Sequence, residues 1–219
     1  MRNDTRVQVM LIEPHRTFAN SLSSALRVDG RFEIVAAATD GDAGWQILEN
    51  HSPDLLLSEV DPPGRSPFEM VEELRRRPRP PRVVLMTSQL TPALVEQALR
   101  VSVDAYLLKS EPIPSLLDAL DRVAHGQREF SPPVQGMLST DATGRLVLAA
   151  QSPLGDLTLR QVEILRHLAA GRSVKEVARL MHLSMKSVDS HKYRIMQRLN
   201  IHNRVELAHF ARRKGLLVD

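Results

Sequence analysis

Between residues 1 and 125, short apolar runs alternate with longer stretches in which apolar positions recur at helical spacing. The runs VQVMLI (7–12), EIVAAA (33–38), DLLLS (54–58), RVVLM (82–86) and AYLL (105–108) have the length and continuity of strands buried on both faces. Amphipathic segments near 16–28, 42–50, 67–77, 92–101 and 114–125 separate and follow them. The order βαβαβαβαβα predicts an α/β domain: a parallel sheet covered by helices, with right-handed crossovers. In such a sheet the ligand crevice lies at the carboxyl ends of the strands, here Ile12-Glu13, Ser58-Glu59, Met86-Thr87 and Leu108-Lys109. Every one of these ends carries a polar or charged residue.

The pattern breaks at 126–156, where Pro, Gly, Ser and Thr surround one apolar patch, LVLAA, and the segment reads as a linker. The patch fits a short strand or a short helix equally well. Beyond it, Thr158 with Gln161, Ser173 with Glu176, Ser184, and Asn203 with Glu206 mark four helix starts, three of them capping boxes or close variants. Gly171 closes the first helix, His182-Leu183 makes a short turn before the third, and Ile201-His202 precedes the last. On the third helix, Val188, Ile195 and Leu199 share one side and leave Lys186, Asp189, Ser190, Tyr193 and Arg194 on others. The expected division is therefore 1–125, a linker at 126–156, and an all-α four-helix domain at 157–219.

Charge sharpens this division. The chain's net charge of +3 conceals an asymmetry: residues 1–125 carry 14 Lys and Arg against 18 Asp and Glu, net −4, whereas residues 151–219 carry 13 against 6, net +7. A basic helical tail points to a polyanion partner, because neutralising phosphates releases counterions. With no cysteine, disulfides and thiolate chemistry are excluded. No run reaches the roughly 18 apolar residues of a membrane span, and the start MRNDTRVQVM has too short an apolar run for a signal peptide, so a cytoplasmic protein is expected.

The run LTLRQVEILRHLAAGRSVKEVARLMHLSMKSVDSHKYRIMQRLNIHNRVELAHFARRKGL (157–216) resembles the LuxR-type helix-turn-helix of NarL/FixJ response regulators. Thr158, Glu163, Leu165, Gly171, Lys175-Glu176, Ala178, Leu183-Ser184, Val188, His191, Ile195-Met196, Leu199, Arg204 and Glu206-Leu207 stand at the family's spacing. The resemblance implies that helix 173–181 supports helix 184–199 in the major groove of double-stranded DNA, and that helix 203–214 helps form a homodimer. By residue type, Lys186, Lys192 and Arg194 are candidate phosphate contacts, joined by Ser187 at the helix start. Asp189, Ser190 and Tyr193 occupy positions facing base edges; Asp189 stands where the family often has a basic residue, so it either accepts from cytosine N4 or stays in solvent. His191 reads as a packing or backbone-anchoring residue rather than a metal ligand, since no second ligand has suitable spacing.

Residues 1–125 resemble the receiver domain that precedes this module in the same family, which implies a (βα)5 flavodoxin-like fold. In receivers an aspartate ending the third strand takes a phosphoryl group, and an acidic pair after the first strand helps to hold Mg²⁺. Here Glu13-Pro14 stands for the acidic pair and Glu59 for the phospho-acceptor, while Thr87, Lys109 and Tyr106 match the sensing hydroxyl, the lysine and the aromatic switch. Proline offers Mg²⁺ no side-chain ligand, and one lost carboxylate weakens an octahedral site with few protein ligands. The additional methylene of Glu59 displaces its carboxylate by roughly 1 Å, a misplacement that can cost about 10²-fold in rate. Two readings of Glu59 remain: a fixed negative charge reaching toward Lys109 in imitation of a phosphoryl group, or a structural ion pair left from an inactive site.

The expected function is DNA binding as a homodimeric transcription regulator of two-component type, with a pseudo-receiver that needs neither cofactor nor aspartyl phosphorylation. Alternatives are a phosphorylation-dependent regulator using Asp61 or Glu59, and an interaction protein that sequesters another regulator. Another protein or a small molecule is a candidate signal at the first domain. The basic run RRRPRPPR (75–82) reads as a solvated loop. No Ser-His-Asp spacing, Gly-rich phosphate loop or histidine cluster points to an enzyme.

Overall fold

The computed structural model describes residues 6–149, 154 and 157–217. Half of the decapeptide weighed as a leader, at 1–5, and residues 150–153, 155 and 156 of the expected linker lie outside the described residues. The chain forms two compact units: one running to Ser88 and resuming at Arg100–Gly136, the other comprising Gln89–Leu99 and the chain from Met137 onward.

The first unit is built on strands β1 (Val7–Ile12), β2 (Phe32–Ala38), β3 (Leu55–Glu59), β4 (Arg82–Thr87), β5 (Ala105–Leu108) and β6 (Glu129–Phe130). All are parallel, in the order β2-β1-β3-β4-β5-β6. The continuous apolar runs foretold strands buried on both faces; β3 is buried at every residue, but β2, at the sheet edge, is buried only at Phe32 and alternates exposed and partly buried residues after it, which corrects the expectation for 33–38. One side of the sheet contributes Val9, Leu11, Leu55, Leu57, Val84, Met86 and Leu107 to a core shared with Leu22 and Leu26 of α1 (Arg16–Asp29) and Leu116, Leu120 and Val123 of α5 (Ile113–Ala124). Each such side chain taken fully out of water is worth about 1.5–3 kcal/mol. Residues alternating with these, Met10, Ile12, Leu56, Val83 and Leu85, are equally buried. α2 (Gly41–Asn50) approaches β1 so closely that a Cβ on Gly44 would come within 2.4 Å of the Ile12 side chain.

Helix α3 (Pro67–Leu74) ends three residues short of the sequence expectation. Pro78 disfavours helical geometry at the residue before it, and the arginines that follow Leu74 turn to other work. Arg75 donates to Asp104 Oδ2 at 2.7 Å, to Ser102 O at 2.8 Å and to Pro81 O at 3.2 Å. Arg82 reaches Asp104 Oδ1 at 2.9 Å, and Arg77 donates to Leu48 O at 2.7 Å. The reading of RRRPRPPR as a solvated loop is thereby corrected: only Arg76 and Arg79 have that character, and the others clamp β4, the β5 entry and α2. The composition of the run hid this, because the carboxylate it serves is about 25 residues further on.

The segment read as a linker carries structure. β6 extends the sheet, followed by α6 (Pro132–Gln135), and β7 (Leu138–Thr140) pairs with β8 (Leu146–Leu148) in an antiparallel hairpin. The apolar patch is thus a strand at 146–148. Ser131 fastens the extension: its N–H donates to Tyr106 O at 3.1 Å, and its Oγ accepts from Leu108 N–H at 2.8 Å. Two strand residues are too few to leave a periodic pattern.

The second unit contains α4 (Pro92–Arg100) through Leu99, the hairpin, and four helices: α7 (Leu159–Ala169), α8 (Val174–Leu180), α9 (Met185–Leu199) and α10 (Arg204–Arg213). All four expected N-caps are observed. Thr158 and Ser173 form reciprocal capping boxes with Gln161 and Glu176, Ser184 accepts from Ser187 N–H, and Asn203 accepts from Glu206 N–H. Ile164, Leu165, Leu168, Val177, Val188, Ile195, Leu207 and Ala211 make the core.

Candidate functional site: a strand-end pocket and an exposed helix face

The parallel register sets the carboxyl ends of β1, β3, β4 and β5 side by side, pairing Glu59 with Met86 and Thr87 with Leu108. Lys109, one residue past β5, donates its N–H to Thr87 O at 2.9 Å. Its ammonium then lies between two carboxylates, 2.5 Å from Glu13 Oε2 and ion-paired with Glu59 Oε2. The Phe18 ring of α1 stands 4.7 Å from Nζ. All three charged side chains are sealed from water: 6% exposure for Lys109, 0% for Glu13 and 9% for Glu59.

The second oxygen of each carboxylate is held by backbone. Glu59 Oε1 accepts from Val60 N–H at 2.8 Å, and Glu13 Oε1 accepts from His15 N–H at 2.9 Å. His15 Nδ1 lies a further 3.0 Å from Glu13 Oε1. Charge-assisted bonds of this kind fix both groups in one geometry. The sequence pointed to Glu59 and Lys109 as partners; it did not reveal that Glu13 shares the ammonium, nor that Phe18 and His15 line the site.

Ligand atoms of Glu13, His15 and Glu59 come within 4.8 Å of one another, the one such grouping among the described residues. The donor set nonetheless does not fit Mg²⁺. That ion asks for near-octahedral oxygen ligation, whereas Pro14 supplies no side-chain oxygen and the Lys109 ammonium already bridges the two carboxylates. Thr87, the last residue of β4, is buried, and Tyr106 in β5 is wholly enclosed. Asp61 lies exposed in the loop after β3. Asp54, at the opposite end of the strand, accepts from Gln8 N–H at 2.8 Å.

In the second unit, the turn between α8 and α9 is made by His182 at φ 51°, with Leu183 N–H donating to Ala178 O at 2.8 Å. Val188 and Ile195 anchor α9 in the core. Lys186, Asp189, Ser190, Tyr193 and Arg194 are exposed, and Ser187, His191 and Lys192 are half-buried. Lys192 Nζ lies 2.8 Å from Asp189 Oδ1, so the two exposed charges form a pair across one turn. Tyr193 is 63% exposed, and its hydroxyl accepts a hydrogen bond from Gln197 Nε2 at 2.8 Å. Gln197 had no signal in the sequence beyond its position four residues on.

His191 presents its ring inward, and its Nδ1 is buried without a hydrogen-bond partner among the described residues. Burial holds its pKa below the ordinary imidazole value, and the nearby cations Arg194 and Arg160 act in the same direction. His191 is partly buried, and the group of possible metal ligands among the described residues does not include it.

Two family models match the chain. The receiver domain of response regulators matches residues 9–121, and the bacterial regulatory proteins of the luxR family match residues 156–211. Among curated proteins, the transcriptional regulatory protein YvfU of Bacillus subtilis is 28% identical over 209 residues, covering 95% of this chain and 98% of its own. The oxygen regulatory protein NreC of Staphylococcus carnosus is 27% identical over 215 residues, covering 96% and 99%. Among solved structures, RcsB of Salmonella typhimurium superposes with a TM-score of 0.70 at 18% identity, covering 94% of this chain and 96% of that one. At that identity the likeness speaks for the fold. Among the described residues no helix is long and apolar enough to cross a membrane.

Proposed function

Since the chain belongs to the response regulators that join a receiver domain to a LuxR-type DNA-binding domain, we propose that it binds double-stranded DNA as a homodimer through the exposed face of α9, and that its receiver unit works without aspartyl phosphorylation. It is a transcription regulator rather than an enzyme, and its place of action is the cytoplasm. The receiver part corresponds to residues 1–125 with the β6 extension, and the DNA-binding part to 157–219.

The observation that carries the reading of the pocket is the bridging of Glu13 and Glu59 by Lys109. A phosphoryl group arriving at Glu59 would need its carboxylate free for in-line attack and a metal to neutralise the phosphoryl oxygens. Here one carboxylate oxygen is held by Val60 N–H and the other by the ammonium. Lys109 is thus already engaged at the position where phosphorylation would otherwise recruit it. Lys186, Ser187, Ser190, Tyr193 and Arg194 supply the DNA contacts, with Asp189 and Lys192 acting as a pair.

The test is incubation of the full chain with acetyl phosphate and Mg²⁺, read by intact mass, beside DNA binding measured with and without that treatment. Unchanged mass and unchanged affinity are expected. A phosphate added within the receiver unit, at Glu59 or at Asp61, together with tighter DNA binding, would overturn the reading.

A further inference from the structure

We propose that Gln197 is a positioning residue which fixes the Tyr193 hydroxyl as an outward-facing hydrogen-bond donor, so that α9 selects a base presenting an acceptor in the major groove. The proposal rests on the reading of α9 as the DNA-binding helix. Lys186, Ser190, Tyr193 and Gln197 follow one another at spacings of four, three and four residues, and all are exposed. They therefore form the stripe that lies opposite the buried Val188 and Ile195. Within that stripe, the Gln197 amide donates to Tyr193 Oη at 2.8 Å.

The direction of this bond has chemical content. A phenolic oxygen carries one proton and accepts through its lone pairs. Once a lone pair is taken by the amide N–H, the proton is directed away from Gln197, toward whatever the stripe meets. A donor there complements guanine N7 and O6, adenine N7 or thymine O4, but not cytosine, whose major-groove edge offers the N4 donor. Neutral Gln197 also adds no charge of its own to the phosphate contacts made by Lys186 and Arg194, so its effect is on base choice rather than on overall attraction.

The experiment selects bound duplexes from a randomised DNA pool with the full-length protein and derives a base preference for each position. Wild type is expected to disfavour cytosine at one position per half-site. Tyr193→Phe and Gln197→Leu are expected to relax that position by about three- to tenfold, the range set by one neutral hydrogen bond, with the slope of affinity against salt unchanged. Gln197→Glu reverses the bond: the carboxylate accepts a hydrogen bond from the tyrosine hydroxyl, which keeps its proton, the phenolic lone pairs face outward, and cytosine or adenine gains at the same position. Both side chains are exposed, so the melting temperature should stay constant across the series; a shift with no change in base preference would make the pair merely structural and overturn the proposal. An identical preference in wild type and Gln197→Leu would overturn it alone. An even loss over all sequences would assign Tyr193 to phosphate and overturn it too, whereas failure of wild type to bind any duplex would bring down the DNA reading on which it rests.

Discussion

Lys109 is the one cation shared by two buried carboxylates, so its removal leaves both without that partner. Lys109→Met is expected to destabilise the first unit by about 3–5 kcal/mol, measured as a fall in unfolding free energy in urea. Asp104 gives a pH-dependent counterpart. Burial pushes its pKa up, but bonds from Arg75, Val83 N–H and Arg82 outweigh that and hold it below the usual carboxylate value. The folded state therefore binds this proton less readily than the unfolded chain, and its contribution is complete above the ordinary value near 4 and lost as pH falls through the lower folded value. Unfolding free energy followed from pH 6 to pH 2 should show this decline, and Asp104→Asn should flatten it while costing about 2–3 kcal/mol at neutral pH. His191 has the opposite chemistry with the same outcome. Its folded pKa lies below the ordinary imidazole value, so protonation favours unfolding, and the second unit should lose stability as pH drops below about 6.5. Far-ultraviolet circular dichroism melts at pH 7.5 and 5.5, with His191→Gln as the insensitive control, check this.

At the scale of elements, local grammar and long-range pairing contribute differently. Ser173→Ala removes the acceptor for Glu176 N–H and leaves α8 without its capping box, a loss of about 1 kcal/mol in urea unfolding. Ser131→Ala is expected to cost about 1–3 kcal/mol, because it strands the buried Leu108 N–H. The two serines differ in how plainly they declare themselves. Ser173 is followed three residues later by Glu176 and then by helical periodicity, so the cap, the helix and its boundary are all legible. Ser131 sits among prolines, and its partner is 23 residues back in sequence. Four of the five strands were legible for the same local reason as Ser173, as apolar runs that need cover on two faces; β2, at the sheet edge, is buried only at Phe32 and leaves Val35 exposed, which its apolar run did not declare. The strand-end residues Glu13, Glu59 and Lys109 could be singled out because strand ends concentrate function, but neither Phe18 and His15 beside them nor the wiring of the three charges could be read. That Glu13 and Glu59 share one ammonium depends on which strands are neighbours, and β1 lies beside β3 across 46 residues of sequence from Gln8 to Asp54. Gln197 was missed because a neutral side chain one turn past Tyr193 carries no charge or motif to mark it.

Across the whole molecule, charge is distributed by function: net −4 over residues 1–125 and net +7 over residues 151–219. DNA affinity should fall linearly on a log–log plot against salt, and Lys186→Ala and Arg194→Ala should each reduce the slope by about 0.9 if each neutralises one phosphate. Fluorescence anisotropy over 50 to 300 mM salt measures this; Lys192→Ala should change the slope less, since that ammonium is already spent on Asp189. The first unit has a different relation to ions. Its positive charge is attached to the backbone at residue 109, immediately after a strand whose register is fixed by β4 and β6. Such a charge cannot be chelated, exchanged or competed away, and it arrives with every copy of the chain. On the reading proposed above, output then follows how many copies the cell makes and how quickly it degrades them, so the controlling variable passes from the occupancy of a site to the abundance of the protein.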